Sequence, residues 1–192
     1  MDYLVIYLHG FLSSPQSFKA QQTKAFVNRH YPKLTLEVPK LANYPLQAAQ
    51  TIENIIAQHP NKKLRFVGSS LGGYLSTYMR EKYGGKAVLV NPAVKPYDLL
   101  VDYLGEHTSP YTDEAFLLEH KHITELISLD SPRVTNLLNY WVLLQTADET
   151  LDYRQAEQKY HGCKMTIEPG GDHSFQHFER FLPDIFRFLL QD

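Results

Sequence analysis

The feature that most constrains the fold is a repeated alternation of short apolar segments with longer segments of helical periodicity. The short segments are rich in strand-forming residues, and they lie at 3–8, 35–38, 64–67, 86–90, 141–146 and 165–167. The longer segments carry apolar residues three and four positions apart, and they lie at 16–31, 46–59, 71–83, 153–160 and 175–190. Strands that alternate with helices predict a mostly parallel sheet of about six strands with helices on both faces. The expected fold class is therefore α/β, with three layers.

The stretch from about 96 to 140 interrupts this alternation. It is far too long for a loop between a strand and a helix, and too regular in pattern for a disordered one. Its apolar positions are Leu99, Leu100, Tyr103, Phe116, Leu117, Leu118, Ile123, Leu126 and Ile127. Their spacing suggests short helices, so we interpret 96–140 as a helical lid inserted into one domain that spans 1–192. A length of 192 residues agrees with one domain, because domains average about 150 residues.

Charge and cysteine content exclude several classes of protein. The chain has 19 Lys and Arg residues and 21 Asp and Glu residues, which gives a formal net charge of −2. This charge supplies no positive field to attract the phosphate backbone of a nucleic acid, so we expect no nucleic-acid partner. Cys163 is the only cysteine, which excludes an intramolecular disulfide and a cysteine-based zinc site. No apolar run approaches the ~18 residues that span a bilayer, and the N-terminus lacks the basic start of a secretory signal. We therefore expect a cytoplasmic protein without stable membrane insertion.

The sequence Gly-Ser-Ser-Leu-Gly at 68–72 directly follows a predicted strand and directly precedes a predicted helix. In that context the Gly-x-Ser-x-Gly pattern forms a sharp turn that exposes its central serine at the carboxyl end of the sheet. Ser70 fits the frame of the glycines. Ser69 does not, because Val67 and Leu71 occupy the positions where its glycines would be required. The alternative is a glycine-rich turn with a serine helix cap, but the strand before it and the helix after it favour Ser70 as a nucleophile.

A serine hydroxyl needs a base to become a nucleophile, and the base needs an acid to orient it. In sites of this kind the acid and then the histidine follow the serine along the chain. Asp148 lies just beyond the fifth predicted strand, and His173 lies beyond the sixth. Glu149, Asp152 and Asp172 lie near the same loops and remain alternatives for the acid. We choose Asp148 because it precedes the next predicted helix, where Asp152 is better placed as an N-terminal cap.

The loop after the first strand supplies the second part of the predicted site. Acyl transfer passes through a tetrahedral oxyanion, which needs two preorganised N–H donors. We expect one from Leu71, the residue after the nucleophile, and one from Phe11 in the His-Gly-Phe-Leu sequence. His9, Gly10 and Leu12 in this loop are candidate substrate contacts. For His9 and Gly10 taken alone, a simple turn at the end of the strand is the alternative.

The sequence contains only incomplete versions of the common metal-binding and cofactor-binding motifs. His173 and His177 are four residues apart, but the Glu of a His-Glu-x-x-His motif and a third ligand are both missing. The Gly-Gly-Lys-Ala sequence at 84–87 has no upstream glycine at phosphate-loop spacing, and no Gly-x-Gly-x-x-Gly follows a strand. We therefore expect neither a metal nor an organic cofactor.

Taken together, these motifs resemble the α/β-hydrolase superfamily over essentially the whole chain. The sequences that carry the resemblance lie at 9–14, 68–74, 91–93, 146–149 and 171–173. The first three, which include Asn-Pro-Ala at 91–93, are most similar to the small bacterial YqiA-like esterases. The full fold has eight strands, whereas about six can be found here. The first two strands of the superfamily are therefore expected to be missing.

The resemblance implies a serine hydrolase that cleaves small-molecule carboxylic esters, or thioesters, through an acyl-enzyme intermediate. It implies Ser70, Asp148 and His173 as the catalytic triad, with the amides of Phe11 and Leu71 as oxyanion donors. Two alternatives remain open. Acyl transfer to an acceptor other than water would use the same residues, and the fold also serves non-catalytic binding modules.

Overall fold

The computed structural model describes residues 2–111 and 113–191. The strands in this part of the chain are β1 (Tyr3–Leu8), β2 (Thr35–Glu37), β3 (Lys63–Ser69), β4 (Lys86–Val90), β5 (Gly105–Thr108), β6 (Ala115–Leu118), β7 (Tyr140–Gln145) and β8 (Lys164–Glu168). The α-helices are α1 (Phe18–His30), α2 (Pro45–Gln58), α3 (Leu71–Tyr83), α4 (Pro96–Leu100), α5 (His120–Ser128), α6 (Tyr153–Lys159) and α7 (Leu182–Leu189). Short 3₁₀ turns lie at Val101–Tyr103, Leu137–Asn139 and Phe178–Phe181. No helix within the described ranges is long and apolar enough to cross a bilayer.

Six strands form the main sheet in the order β2-β1-β3-β4-β7-β8, and every neighbouring pair is parallel. The predicted mostly parallel sheet of six strands is thereby confirmed. The chain starts inside the sheet at β1, moves outward to β2 and then crosses to β3 on the other side. Loops from the two sides of such a switch point meet at the carboxyl edge of the sheet, where ligands bind in open α/β folds.

Residues of β1 alternate between two hydrophobic cores. Leu4, Ile6 and Leu8 pack with residues of α2, α3, α5 and α6, whereas Val5 and Tyr7 pack with residues of α1 and α7. All five side chains are at most 1% exposed, which explains why β1 is apolar at consecutive positions. Burial of each such side chain contributes about 1.5–3 kcal/mol. The sheet is therefore a rigid platform for the loops at its carboxyl edge.

The stretch 96–140 is only partly helical. It contains α4, the two-stranded antiparallel hairpin of β5 and β6, and α5. The expectation of a short helix around Phe116, Leu117 and Leu118 is wrong, because these residues belong to β6. Phe116 and Leu118 are buried while Leu117 between them is exposed. Three consecutive apolar residues conceal this period of two in the sequence.

The final helix is shorter than the segment 175–190 predicted. α7 begins only at Leu182, after a 3₁₀ turn. Phe175 and His177 have left-handed backbone, with φ of 60° and 58°, which lies outside the range of an α-helix. Residues 172–177 instead form a loop at the carboxyl edge of the sheet, which we call the histidine loop.

Candidate active site

Ser70 occupies a tight turn between β3 and α3. Its backbone is left-handed, with φ 55° and ψ −120°, a conformation that costs a non-glycine residue about 1–3 kcal/mol. The flanking glycines make the turn sterically feasible. A Cβ at Gly68 would lie 2.2 Å from the Gly72 carbonyl oxygen, and one at Gly72 would lie 2.0 Å from the Leu8 carbonyl oxygen. Only glycine at both positions lets α3 approach the sheet this closely.

The structure brings Ser70, His173 and Asp148 together from the carboxyl ends of three different strands. His173 Nε2 lies 3.0 Å from Ser70 Oγ. His173 Nδ1 lies 2.8 Å from Asp148 Oδ2 and 3.0 Å from Oδ1. The Asp148 side chain is 2% exposed and that of His173 is 23% exposed. The imidazole therefore has one nitrogen on a buried carboxylate and the other on a hydroxyl that faces the carboxyl edge.

The alternative acids have other partners. Glu149 accepts a hydrogen bond from the backbone N–H of His173, at 2.9 Å, rather than from its ring. Asp152 caps α6, as the sequence predicted. Asp172 accepts from the side chains of Ser174 and Gln176, and these hydrogen bonds lower the pKa of its carboxyl group. Asp148 is the one of the four candidates whose carboxylate contacts the imidazole ring.

Leu71 and Phe11, the two expected oxyanion donors, lie directly after Ser70 and in the loop after β1. Leu71 is the first residue of α3, so its N–H has no partner inside the helix. Within residues 2–111 and 113–191, neither amide donates a hydrogen bond to a protein acceptor. Gly10 lies beside the nucleophile, where a Cβ would stand 3.7 Å from Ser70 Oγ. The absence of a side chain at Gly10 therefore leaves space next to Ser70.

The ring of Phe11 connects this loop to the hairpin of β5 and β6. It packs edge-on against Tyr103, His107 and Phe116, with ring centroids 6.1, 6.0 and 6.2 Å away. Edge-to-face pairs of this kind contribute about 0.5–1.5 kcal/mol each. The hairpin and the 3₁₀ turn before it are thereby attached to the loop that carries a predicted oxyanion donor.

His9 is buried and engaged with main-chain groups at both ring nitrogens. Its Nε2 accepts a hydrogen bond from the Leu41 N–H at 3.1 Å, and its Nδ1 lies 2.9 Å from the Gly10 carbonyl oxygen. Burial lowers the pKa of His9, which favours the neutral ring that these two contacts require. Its side chain holds the loop in place and has no free nitrogen for a substrate. Leu12 is half-buried in a left-handed conformation, with φ 51°.

Two residues at the site were not singled out by sequence reasoning as functional. Asn91 follows β4 and Gln145 ends β7, and their side chains bind the main chain of the histidine loop. Both side chains are buried. A polar residue directly at the end of a buried strand is the sequence signal that could have found them.

Lys19 of α1 places a positive charge beside the histidine loop. Its Nζ donates a hydrogen bond to the Ser174 carbonyl oxygen at 2.6 Å. Burial lowers the pKa of Lys19 to about 8, against the opposing attraction of Asp172 and Asp148.

In the described part of the chain, no group of three or more His, Cys, Asp or Glu side chains is placed to hold a metal ion.

The α/β-hydrolase class is defined by a parallel sheet with a serine in a strand-to-helix turn. A histidine from a later loop contacts this serine, and an acid from another later loop contacts the histidine. The chain belongs to the uncharacterised protein family UPF0227, whose family model matches residues 4–190. This match confirms the resemblance to α/β hydrolases and to the YqiA-like esterases among them.

Solved structures show the same fold at low sequence identity. An inferred hydrolase from Agrobacterium vitis S4 has a TM-score of 0.78 and 15% identity, over 98% of this chain and 88% of that chain. Est1E from Butyrivibrio proteoclasticus has a TM-score of 0.70 and 13% identity, over 98% and 87%. An α/β serine hydrolase without lid from Xanthomonas campestris has a TM-score of 0.65 and 14% identity, over 100% and 84%. At these identities the likeness establishes the fold.

Proposed function

We propose that this protein hydrolyses carboxylic esters or thioesters of small molecules with Ser70 as the nucleophile. The observation that carries the proposal is the continuous contact from Ser70 Oγ through His173 to the buried Asp148 carboxylate. A binding module would have no need for a buried acid behind a histidine that contacts a strained serine. The lipolytic and esterase enzymes among the structural neighbours support an ester as the substrate class.

The reaction proceeds in two halves. His173 Nε2 takes the Ser70 proton while Oγ attacks the acyl carbon, and the negative charge on the acyl oxygen is held by the Leu71 and Phe11 amides. The bond to the alcohol or thiol breaks, and the leaving group departs with the proton from His173. Water then attacks the acyl-enzyme with His173 as base. The bond between the acyl carbon and Ser70 Oγ breaks, and Oγ takes the proton from His173, which releases the free acid and regenerates the Ser70 hydroxyl. Asp148 holds the ring so that Nδ1 carries the proton and Nε2 is free to accept one.

Substrate contacts in this proposal come from the loop after β1 and from the stretch 96–140. Gly10 provides space beside Ser70 Oγ, and Leu12 lies two residues further along the same loop. The ring cluster of Phe11, Tyr103 and the hairpin brings the inserted stretch to the carboxyl edge, where the nucleophile lies. We propose that this stretch is a lid that covers the acyl group and sets chain-length selectivity within a single domain.

A fluorophosphonate probe tests the proposal directly, because it forms a covalent adduct only with an activated serine. We expect stoichiometric labelling of the wild-type protein, with the adduct on Ser70 by peptide mass spectrometry. A panel of p-nitrophenyl esters and acyl thioesters of graded length then measures kcat/KM. Absence of both labelling and hydrolysis would refute an esterase and leave a binding module.

The lid is tested with Tyr103→Ala, which removes a half-exposed ring that contacts Phe11. We expect the ratio of kcat/KM for long over short acyl chains to change at least threefold. Tyr83→Ala is the matched control, because Tyr83 is similarly exposed and lies at the end of α3, outside the stretch 96–140. Equal ratios in the wild type and both variants would contradict the lid assignment.

A further inference from the structure

Asn91 connects the last two catalytic loops with a single buried side chain. Its Nδ2 donates to the carbonyl oxygens of Asp172, at 3.0 Å, and of His173, at 3.3 Å. Its Oδ1 accepts a hydrogen bond from the Gln145 N–H at 3.0 Å. Asn91 is 2% exposed, so its amide is shielded from water and finds its hydrogen-bond partners within the protein, as buried polar groups do.

Gln145 holds the same loop from the neighbouring strand. Its Oε1 accepts from the Gln176 N–H at 2.8 Å and, at 3.3 Å, from the Asp172 N–H. Its Nε2 donates to the Gln176 carbonyl oxygen at 3.0 Å and to Glu168 Oε2 at 3.1 Å. Gln145 is 3% exposed. The two side chains thus bind the backbone on both sides of His173.

The segment that carries Asn91 also binds the nucleophile turn. The Ser70 N–H donates to the Val90 carbonyl oxygen, and the Ala93 N–H donates to the Ser70 carbonyl oxygen, both at 3.1 Å. One short piece of chain after β4 is therefore hydrogen-bonded to the main chain of Ser70 on one side and of His173 on the other. The separation of Ser70 Oγ from His173 Nε2 depends on this connection.

The chemistry of the two residues fits this role. Three of the partners are carbonyl oxygens, which need N–H donors, and three are N–H groups, which need an acceptor. A neutral amide supplies both from one planar group, whereas a carboxylate supplies only acceptors. Asn91 also has left-handed backbone, with φ 39°, which asparagine tolerates better than most residues do.

We propose that Asn91 and Gln145 are positioning residues of the hydrolysis reaction. They act through His173, by fixing the histidine loop relative to the Ser70 turn, and they contact neither the substrate nor the reacting atoms. This inference rests on the proposed function for its effect on turnover. Its structural part, the placement of the His173 ring, stands on the hydrogen bonds alone.

The test is a pair of isosteric changes, Asn91→Asp and Gln145→Glu. Each removes the N–H donors and turns a carboxylate oxygen towards carbonyl oxygens, so the loop must shift. A misplacement of about 1 Å can cost 10²-fold in rate. We expect kcat for p-nitrophenyl butyrate to fall by about 10–100-fold with KM within about threefold, and fluorophosphonate labelling to slow in parallel.

Asn61→Asp is the matched control, because it is the same chemical change at an exposed residue between α2 and the amino end of β3, away from the site and from the stretch 96–140. It should keep kcat within about twofold, a change of less than 1 kcal/mol by the usual conversion. Asn91→Gly serves as a second variant if Asn91→Asp does not fold, since glycine tolerates the left-handed backbone. Near-normal kcat in folded variants at both positions would overturn the proposal.

A second measurement separates the positioning role from the proposed function. The proton on His173 Nδ1, hydrogen-bonded to Asp148, is followed by ¹H NMR in the wild type and in each variant. A resonance that shifts or disappears in Asn91→Asp, in a protein with unchanged circular dichroism, supports the positioning role. An unchanged resonance refutes it. An inactive wild type that resists labelling would refute the proposed function and leave this NMR result to decide the positioning role.

Discussion

Replacement of Asp148 by asparagine should move the ring proton of His173 from Nδ1 to Nε2. Asp148 Oδ1 accepts hydrogen bonds from the N–H groups of Thr150, at 2.9 Å, and Leu151, at 2.8 Å. In Asp148→Asn the amide oxygen must stay at this position, because an NH₂ group there would face two donors. The NH₂ group is then directed at His173 Nδ1. It can donate only if that nitrogen loses its proton, which moves the proton to Nε2 and blocks the nitrogen that accepts from Ser70.

The size of the effect follows from these contacts. The competent orientation of the amide would sacrifice two hydrogen bonds at about 1 kcal/mol each, so about one molecule in thirty would hold it. The variant also loses the carboxylate that faces the imidazolium, a pair worth about 4 kcal/mol at 4 Å and an effective dielectric constant of 20. Only part of that attraction develops in the transition state. We therefore expect kcat to fall between about 10² and 10⁴-fold, which includes the figure of roughly 10⁴ known for a protease triad.

The assay is hydrolysis of p-nitrophenyl butyrate at pH 7.5, with thermal unfolding recorded for each variant. Asp152→Asn is the matched control: it is the same chemical change four residues away, at an exposed cap of α6. It should keep kcat within about twofold, because an asparagine caps a helix about as well as an aspartate. Turnover of folded Asp148→Asn above a tenth of the wild-type value would refute the reasoning and transfer the acid role elsewhere.

Three further predictions concern the nucleophile turn and the histidine loop. Ser70→Ala should abolish hydrolysis and fluorophosphonate labelling at unchanged Tm, whereas Ser69→Ala should keep most activity; equal losses in the two would contradict the assignment. Gly72→Ala should lower the free energy of unfolding by about 3 kcal/mol or more, because its Cβ would meet rigid backbone of β1. Gly84→Ala, at φ 79° and ψ −168° with open space around it, should cost about 1–3 kcal/mol of backbone strain alone in the same urea titration. Lys19 has a folded-state pKa of about 8, below its ordinary value of 10.5, so the unfolded chain binds more protons between these values and stability rises with pH there. The Tm difference between the wild type and Lys19→Met should therefore change in favour of the wild type from pH 8 to 10.5, and a flat difference would contradict this lowered pKa.

The main sheet could be predicted from the sequence because its strands carry strong local patterns. The six apolar segments match the six strands, and β1 and β4 are apolar at consecutive positions, as strands buried on both faces require. The hairpin of β5 and β6 could not be predicted from the sequence. β5 reads Gly-Glu-His-Thr from Gly105 to Thr108, without a hydrophobic pattern. The hairpin contacts the rest of the protein through Phe116 of β6, which packs on the ring of Phe11. Tertiary contact rather than local propensity decides structure there.

Some features of the candidate site could also be predicted from the sequence, and others could not. The glycine frame of Ser70 and the chain order of the later loops are local features, so both could be predicted from the sequence. The hydrogen bonds of the Asn91 side chain could not be predicted, since its partners are 54, 81 and 82 residues away. The contact between Glu149 and the His173 N–H depends on two loop conformations at once. Pattern reasoning finds residues that perform chemistry more readily than residues that hold them in place.

The pairing of the first and last residues of the hairpin has a consequence for how the sequence of this protein can change in evolution. Gly105 pairs with Leu118, so the chain leaves and re-enters the body of the protein at neighbouring points. Insertion or deletion between such points changes mainly the loop-closure entropy, about 0.6 kcal/mol for each doubling of length. The hairpin is a separate two-stranded sheet, so the six strands of the main sheet keep their pairing when its length changes. Selection can therefore exchange most of the hairpin, provided that a side chain still packs on Phe11, while the six-stranded sheet keeps its strand order.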